Sequence, residues 1–227
     1  MKIKTALILC AGYGKRLLPL TENTPKPLLK VNNINLLDNT INFVKSIGVT
    51  NIKINTFYLG EQIKKFIEKK SYPLNIEIID DGEKILDTGG GIYNLIKDAK
   101  EDDFLIFNPD TIWSSKYNKT LEEMNNYYFN NKINNLLMVV DKTRSFDTRF
   151  KGDFTLKAHK LLKEGKNDFV YTGCQILNKK NFHNIHKKIF SVNEIWNKLL
   201  IEDELYGFES LNNFLHITDI EILKKLN

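Results

Sequence analysis

Two glycines one residue apart interrupt an apolar run and are followed at once by fixed positive charge. The stretch reads Leu9-Cys10-Ala11-Gly12-Tyr13-Gly14-Lys15-Arg16-Leu17-Leu18-Pro19-Leu20-Thr21 and continues to Thr24-Pro25-Lys26-Pro27-Leu28. The preceding Thr5-Ala6-Leu7-Ile8-Leu9 is apolar enough for a buried parallel strand. Glycine permits positive φ and carries no Cβ, so backbone N–H groups at Gly12 and Gly14 can approach an anion closely. Arg16 and Lys26 bring cations to the same place, and Pro25 and Pro27 stiffen the segment, predicted to be extended, that presents Lys26. A loop of this kind suits a polyphosphate. It lacks the third glycine of a dinucleotide-binding turn and the Gly-Lys-Ser/Thr of a P-loop.

The rest of the chain supports an α/β reading. Helical spacing is predicted over 34–47, 62–69 and 91–99, and strands over 52–57, 74–79 and 104–107. Strands that alternate with helices imply right-handed crossovers and a parallel, doubly wound sheet. The second half is less regular: a helix over 121–129, strands over 135–140, 152–156 and 169–177, a helix over 192–201, a short strand near 213–217 and a last helix over 219–226. At 227 residues the chain is expected to form one domain, 1–227. The net charge of +5 is scattered among acids and asparagines, which argues against nucleic acid. No apolar run approaches the roughly 20 residues of a membrane span, and two cysteines are too few for a disulfide framework, so a cytoplasmic protein is expected. Monomer and homodimer stay equally open.

Ligands of open α/β sheets bind at the carboxyl ends of the strands, so three turns should converge there. One is the glycine loop. A second is Asn108-Pro109-Asp110, which ends an apolar strand with a carboxylate placed to hold Mg²⁺ against a triphosphate. The third is Asp87-Thr88-Gly89-Gly90-Gly91, read either as a close backbone approach to a flat ligand or as a helix start.

The pattern Ala-Gly-x-Gly-x-Arg-Leu-x-Pro-Leu-Thr-x-x-x-Pro-Lys-Pro-Leu resembles the signature of the sugar-1-phosphate nucleotidyltransferases. The resemblance implies a Rossmann-like, three-layer α/β fold with a mostly parallel mixed sheet, its nucleotide-binding half about 1–112 and its sugar-phosphate-binding half about 113–227. It also implies that Ala11, Gly12, Gly14, Glu83, Thr88, Gly89 and Asn108 contact the nucleotide. Gly152, Asp153, Glu164, Thr172 and Gly173 correspond to segments that border the sugar phosphate. Asp110 is the implied metal ligand, with Pro109 in place of the usual small residue of that turn. The family's second ligand falls at His216; a histidine simply satisfied near a strand end is the alternative. Asp219 reads as the cap of the last helix.

The implied reaction joins a nucleoside triphosphate to a sugar 1-phosphate and releases pyrophosphate, with Mg²⁺ as cofactor. Arg16 is assigned to the β,γ-phosphates and Lys26 to the charge developing at the α-phosphate; neither a serine nor a cysteine nucleophile is required. The Leu-Asp-Thr-Gly-Gly-Gly run most resembles the branch that uses UTP and N-acetylmuramate 1-phosphate in cell-wall recycling. Guanylyl transfer to mannose or heptose 1-phosphate is the alternative, and a nucleotide-sugar-binding regulator without turnover is the reading from another class.

Overall fold

The computed structural model describes residues 2–227. β1 (Thr5–Leu9) leads through the glycine loop and two single 3-10 turns, Lys15–Leu17 and Lys26–Leu28, to a small hairpin of β2 (Lys30–Val31) and β3 (Ile34–Asn35). There follow α1 (Leu36–Ser46), β4 (Asn51–Thr56), α2 (Gly60–Lys70), β5 (Asn75–Asp80), α3 (Asp87–Ile96), β6 (Asp103–Phe107), α4 (Tyr117–Asn130) and β7 (Asn135–Asp141). A second hairpin, β8 (Thr155–Lys157) and β9 (Lys160–Leu162), precedes the long β10 (Phe169–Asn178), α5 (Val192–Ile201), β11 (Gly207–Glu209) and α6 (Ile220–Leu226).

Seven strands form one sheet in the order β11-β7-β10-β6-β1-β4-β5. β10 runs against both of its neighbours, while the remaining pairings are parallel. Strands from both halves of the chain therefore share one sheet, and the mostly parallel α/β expectation holds. Alternation along β1 explains the packing. Ala6 and Ile8 join a cluster with Leu37, Ile41 and Val44 of α1, Ile63 of α2 and Leu121 of α4. Leu7 joins another with Ile92 and Leu95 of α3 and Ile195 and Leu199 of α5. No helix of the described residues is long and apolar enough to cross a membrane.

Three expectations need correction. The helix predicted over 91–99 begins earlier, at Asp87, so the glycines form its first turn, in keeping with the helix-start reading of that stretch. Lys26 lies in a 3-10 turn, with extended backbone at Pro25 before it and Leu29 after it, instead of on an extended segment. The predicted strand near 213–217 is reduced to isolated bridges, Phe214 to Ser145 and His216 to Thr111, and the edge strand is β11. A three-residue strand whose pairing energy comes from a distant partner leaves no periodic trace in the sequence.

Candidate active site

The carboxyl ends of β1 and β6 lie side by side, which brings the glycine loop and the Asn108–Asp110 turn to the rim of one cleft of about 370 Å³. Ala11, Gly12, Gly14, Arg16, Lys26, Thr88, Asn108 and Asp110 line it together. The loop is anchored at its root: Cys10 N donates to the Asn55 side-chain oxygen at 3.0 Å, and Asn55 in turn donates to Asp81 at 3.0 Å. The two glycines have different reasons for being there. Gly14 has φ of 65°, and a Cβ on it would lie 2.9 Å from the Thr21 methyl and 3.1 Å from Lys26 Cβ, so its absence lets the loop fold back over Lys26. Gly12 is exposed, with nothing within 4 Å of where its Cβ would be, and offers open backbone to the cleft.

At the floor, Lys26 Nζ donates to Asp110 Oδ2 at 2.6 Å and to the Ile217 carbonyl at 2.9 Å. His216 Nδ1 stands 3.6 Å from Asp110 Oδ1. Burial works against a charged Asp110, but the facing His216 and Lys26 outweigh it and hold the carboxyl at about 2. Burial lowers His216, with Lys26 and Arg16 adding repulsion against the pull of Asp110. The imidazole is therefore neutral at neutral pH, and Lys26 carries the stabilisation of Asp110 there. Thr111 spends its hydroxyl proton on the Thr172 carbonyl at 2.7 Å, so in its 3.3 Å contact with His216 Nδ1 it can only accept. Nδ1 then carries the hydrogen and Nε2 the lone pair.

Asp110 Oδ1 is buried with no hydrogen-bond partner. An orphaned anionic oxygen beside a neutral imidazole fits a divalent cation, and among the described residues there is no group of three acidic, histidine or cysteine side chains to cage one. The donor set thus suits an ion that shares its coordination with phosphate oxygens and water rather than a resident metal.

A second cavity of about 570 Å³ adjoins the first, and Leu9, Asp87, Thr88 and Asn108 line both. Asp153 is the only one of the five residues expected on the sugar side that lines it. Its carboxylate accepts the Tyr171 N–H at 2.9 Å. The other four lie outside the cavity lining, three of them in structural surroundings. Gly152, at φ of 90°, makes a turn in which any Cβ would strike the Asn167 carbonyl. Thr172 is buried and donates to the Met138 carbonyl at 3.0 Å. Gly173 backs onto Asn108, whose N–H it accepts at 2.8 Å. Glu164 is exposed outside the cavity lining. On the nucleotide side Glu83 is likewise exposed and lines neither cavity.

Gly89 is also placed otherwise than expected. A Cβ on it would lie 2.4 Å from the Phe190 ring, one on Gly90 2.2 Å from the Lys188 carbonyl, and one on Gly91 2.6 Å from Asn55 Nδ2. The triple glycine lets α3 dock against 188–192 and Asn55, with Val192 N donating to Thr88 Oγ1 at 3.0 Å. Sequence reasoning missed Lys163, Gln175 and Trp196 as cavity wall, whereas Asp87 and Tyr171 lie in segments that it already placed at the site. The Trp196 indole donates to Gln175 at 3.1 Å and packs edge-on against Tyr171. Its polar handle was the available signal.

The matching family model is that of nucleotidyl transferases, over residues 5–148. The chain belongs to the nucleotidyl transferase family. It is an enzyme of the type that its glycine loop resembles, a sugar-1-phosphate nucleotidyltransferase. Over 95% of this chain and 92% of the relative, it is 25% identical to N-acetylmuramate alpha-1-phosphate uridylyltransferase of Caulobacter vibrioides. Over 93% of the chain and 92% of the relative, it is 24% identical to D-glycero-alpha-D-manno-heptose 1-phosphate guanylyltransferase of Aneurinibacillus thermoaerophilus. The crystal structure of HddC from Yersinia pseudotuberculosis shares the fold, with a TM-score of 0.77 at 21% identity, covering 99% of this chain and 98% of that one.

Proposed function

We propose that this nucleotidyltransferase joins UTP to N-acetylmuramate 1-phosphate, giving the UDP-sugar and pyrophosphate. A phosphate oxygen of the sugar 1-phosphate attacks the α-phosphorus of the triphosphate, the bond to the β-phosphate oxygen breaks, and pyrophosphate leaves with its electron pair. No protein nucleophile is called for. The observation that carries the reading is the Lys26–Asp110–His216 cluster lying where a glycine-lined cavity meets a second cavity. The first cavity suits the triphosphate: Gly12 and Gly14 offer backbone, Arg16 takes the β,γ-phosphates, and Lys26 faces the charge that grows at the α-phosphate and leaving oxygen. Asp110 Oδ1 and His216 would hold Mg²⁺, which when bound neutralises phosphate charge.

Support for the muramate assignment comes from two sides. One is the full-length relationship to the Caulobacter uridylyltransferase. The other is Lys163, which lines the second cavity only; its ammonium is held by the Asp153 carbonyl at 3.1 Å and over the Phe154 ring at 4.4 Å. No carboxylate of the described residues accepts from it, so it is available to the lactyl carboxylate that distinguishes muramate from neutral sugars. The heptose guanylyltransferase relative, almost equally similar over a comparable length, supports GTP and a heptose 1-phosphate as the second reading.

The test is pyrophosphate release with UTP, GTP or CTP against N-acetylmuramate, N-acetylglucosamine, mannose and heptose 1-phosphates. The expected outcome is highest kcat/KM for UTP with N-acetylmuramate 1-phosphate, and a Lys163→Ala variant that loses its preference over N-acetylglucosamine 1-phosphate. Preference for GTP with heptose would transfer the assignment to the second reading, and nucleotide binding without turnover of any pair would favour a regulator.

A further inference from the structure

Asp87 stands at the seam of the two cavities and lines both. Its φ is 60°, in the left-handed region that an L side chain occupies only at some cost. Helix capping does not account for that conformation. Ser191 and Asp219 cap α5 and α6 from extended backbone and accept from N–H groups two and three residues on. Asp87 instead directs Oδ1 to the N–H of its immediate neighbour Thr88 at 2.6 Å, and its Oδ2 takes no hydrogen bond from the described residues. The result is an exposed carboxylate held out at the seam.

An ionised carboxylate only accepts hydrogen bonds, and it repels phosphate and carboxylate groups. Its complement is a neutral group with two donors at close spacing. Of the two substrates proposed above, on which this inference rests for their identity, N-acetylmuramate has its 2- and 3-positions substituted and offers no vicinal diol. The nucleotide's ribose offers one, and ribose joins the base to the α-phosphate that reacts near Asp110. We propose that the Asp87 carboxylate accepts the 2′- and 3′-hydroxyls of the nucleotide's ribose, making it a specificity residue for ribonucleotides over deoxyribonucleotides.

The experiment is calorimetric titration of the intact protein, with Mg²⁺ and without sugar phosphate, using UTP, 2′-deoxy-UTP and 3′-deoxy-UTP. Wild type, Asp87→Gly and Asp87→Asn are compared. Losing a hydrogen bond to a charged acceptor should weaken UTP binding on the order of 10- to 100-fold in Asp87→Gly. The substitution should cost much less with at least one deoxy analogue, because the contact is already missing there. Asp87→Asn, which keeps one acceptor and tolerates positive φ, should lie between. Glycine is unstrained at this φ, so Asp87→Gly should melt within a few degrees of wild type. Equal UTP affinity in wild type and Asp87→Gly would overturn the proposal. So would an equal loss with all three nucleotides, the result expected of a purely structural Asp87. Because the readout is binding, a wild type that binds UTP but turns over no sugar phosphate would sink the proposed reaction while the ribose contact is still decided.

Discussion

Lys26 has two partners for one ammonium, the Asp110 carboxylate and the Ile217 carbonyl. Removing it should therefore do two things at once. Lys26→Ala should lower kcat by about two to three decades, the scale of losing one preorganised electrostatic group. It should also raise the Asp110 carboxyl, since a buried carboxylate without its cation reverts toward and above the ordinary range. Unchanged turnover would remove Lys26 from the mechanism. Asp147 offers a separate test of charge and stability. It is buried, and Arg149 grips it in bidentate fashion, Nε to Oδ1 at 2.7 Å and Nη2 to Oδ2 at 2.8 Å, which holds the carboxyl well below its usual range. A folded-state value below the unfolded one means that the unfolded chain binds more protons on acidification. The stabilisation is complete above the unfolded value of roughly 4 and is lost as pH falls below it. Melting temperature measured against pH should drop below about pH 4, and Asp147→Asn should flatten that part of the curve relative to wild type.

The elements divide by how much of their reason for being is local. β1, β4, β6 and α5 are legible in the sequence because an apolar run or a helical stripe is enough to specify a buried strand or an amphipathic helix. Arg16, Lys26 and Asp110 are legible because charge beside a glycine loop has few other uses. Much of the second cavity's wall is not: Lys163, Gln175 and Trp196 are distant in sequence and become neighbours only when β10 inserts between β6 and β7. α3 shows the same limit, since its glycines look like ligand-facing backbone but are shaped by Phe190, Lys188 and Asn55. Two alanine substitutions separate these uses of glycine. Gly90→Ala drives a methyl to 2.2 Å from the Lys188 carbonyl, and overpacking of that kind costs about 1–3 kcal/mol, or roughly 2–10 °C in a chain of this size. Gly12→Ala meets nothing within 4 Å, so thermal melting should be unchanged while nucleotide affinity falls. If both variants melted alike, packing would not be what distinguishes the two glycine sites.

The last helix closes on the segment 17–36 beside the cavity lined by Gly12, Gly14 and Arg16, which should couple stability to the substrate bound there. Leu223 of α6 and Ile217 pack with Leu17, Val31 and Leu36, so the last helix supports the segment that carries Arg16 and Lys26. Polar contacts reinforce the closure: Asn227 accepts the Asn32 N–H at 2.8 Å, and Ile217 supplies the carbonyl that Lys26 uses. Leu199 of α5 is about as buried as Leu223 but belongs to a different cluster, with Trp196 of the second cavity. Truncating either leucine to alanine should cost about 2–5 kcal/mol, the usual range for a buried leucine. Their kinetic signatures should differ. Leu223→Ala loosens the floor under Lys26 and should raise the KM for the nucleoside triphosphate several-fold with little change for the sugar phosphate. Leu199→Ala should do the reverse, because α5 carries Trp196, which packs on Tyr171 in the wall of the second cavity, the one proposed for the sugar phosphate. Steady-state kinetics of the two variants, run well below both melting transitions, decides the matter. Identical changes in both KM values would mean that the sheet transmits the damage uniformly and that the chain's closing segment has no special hold on the triphosphate.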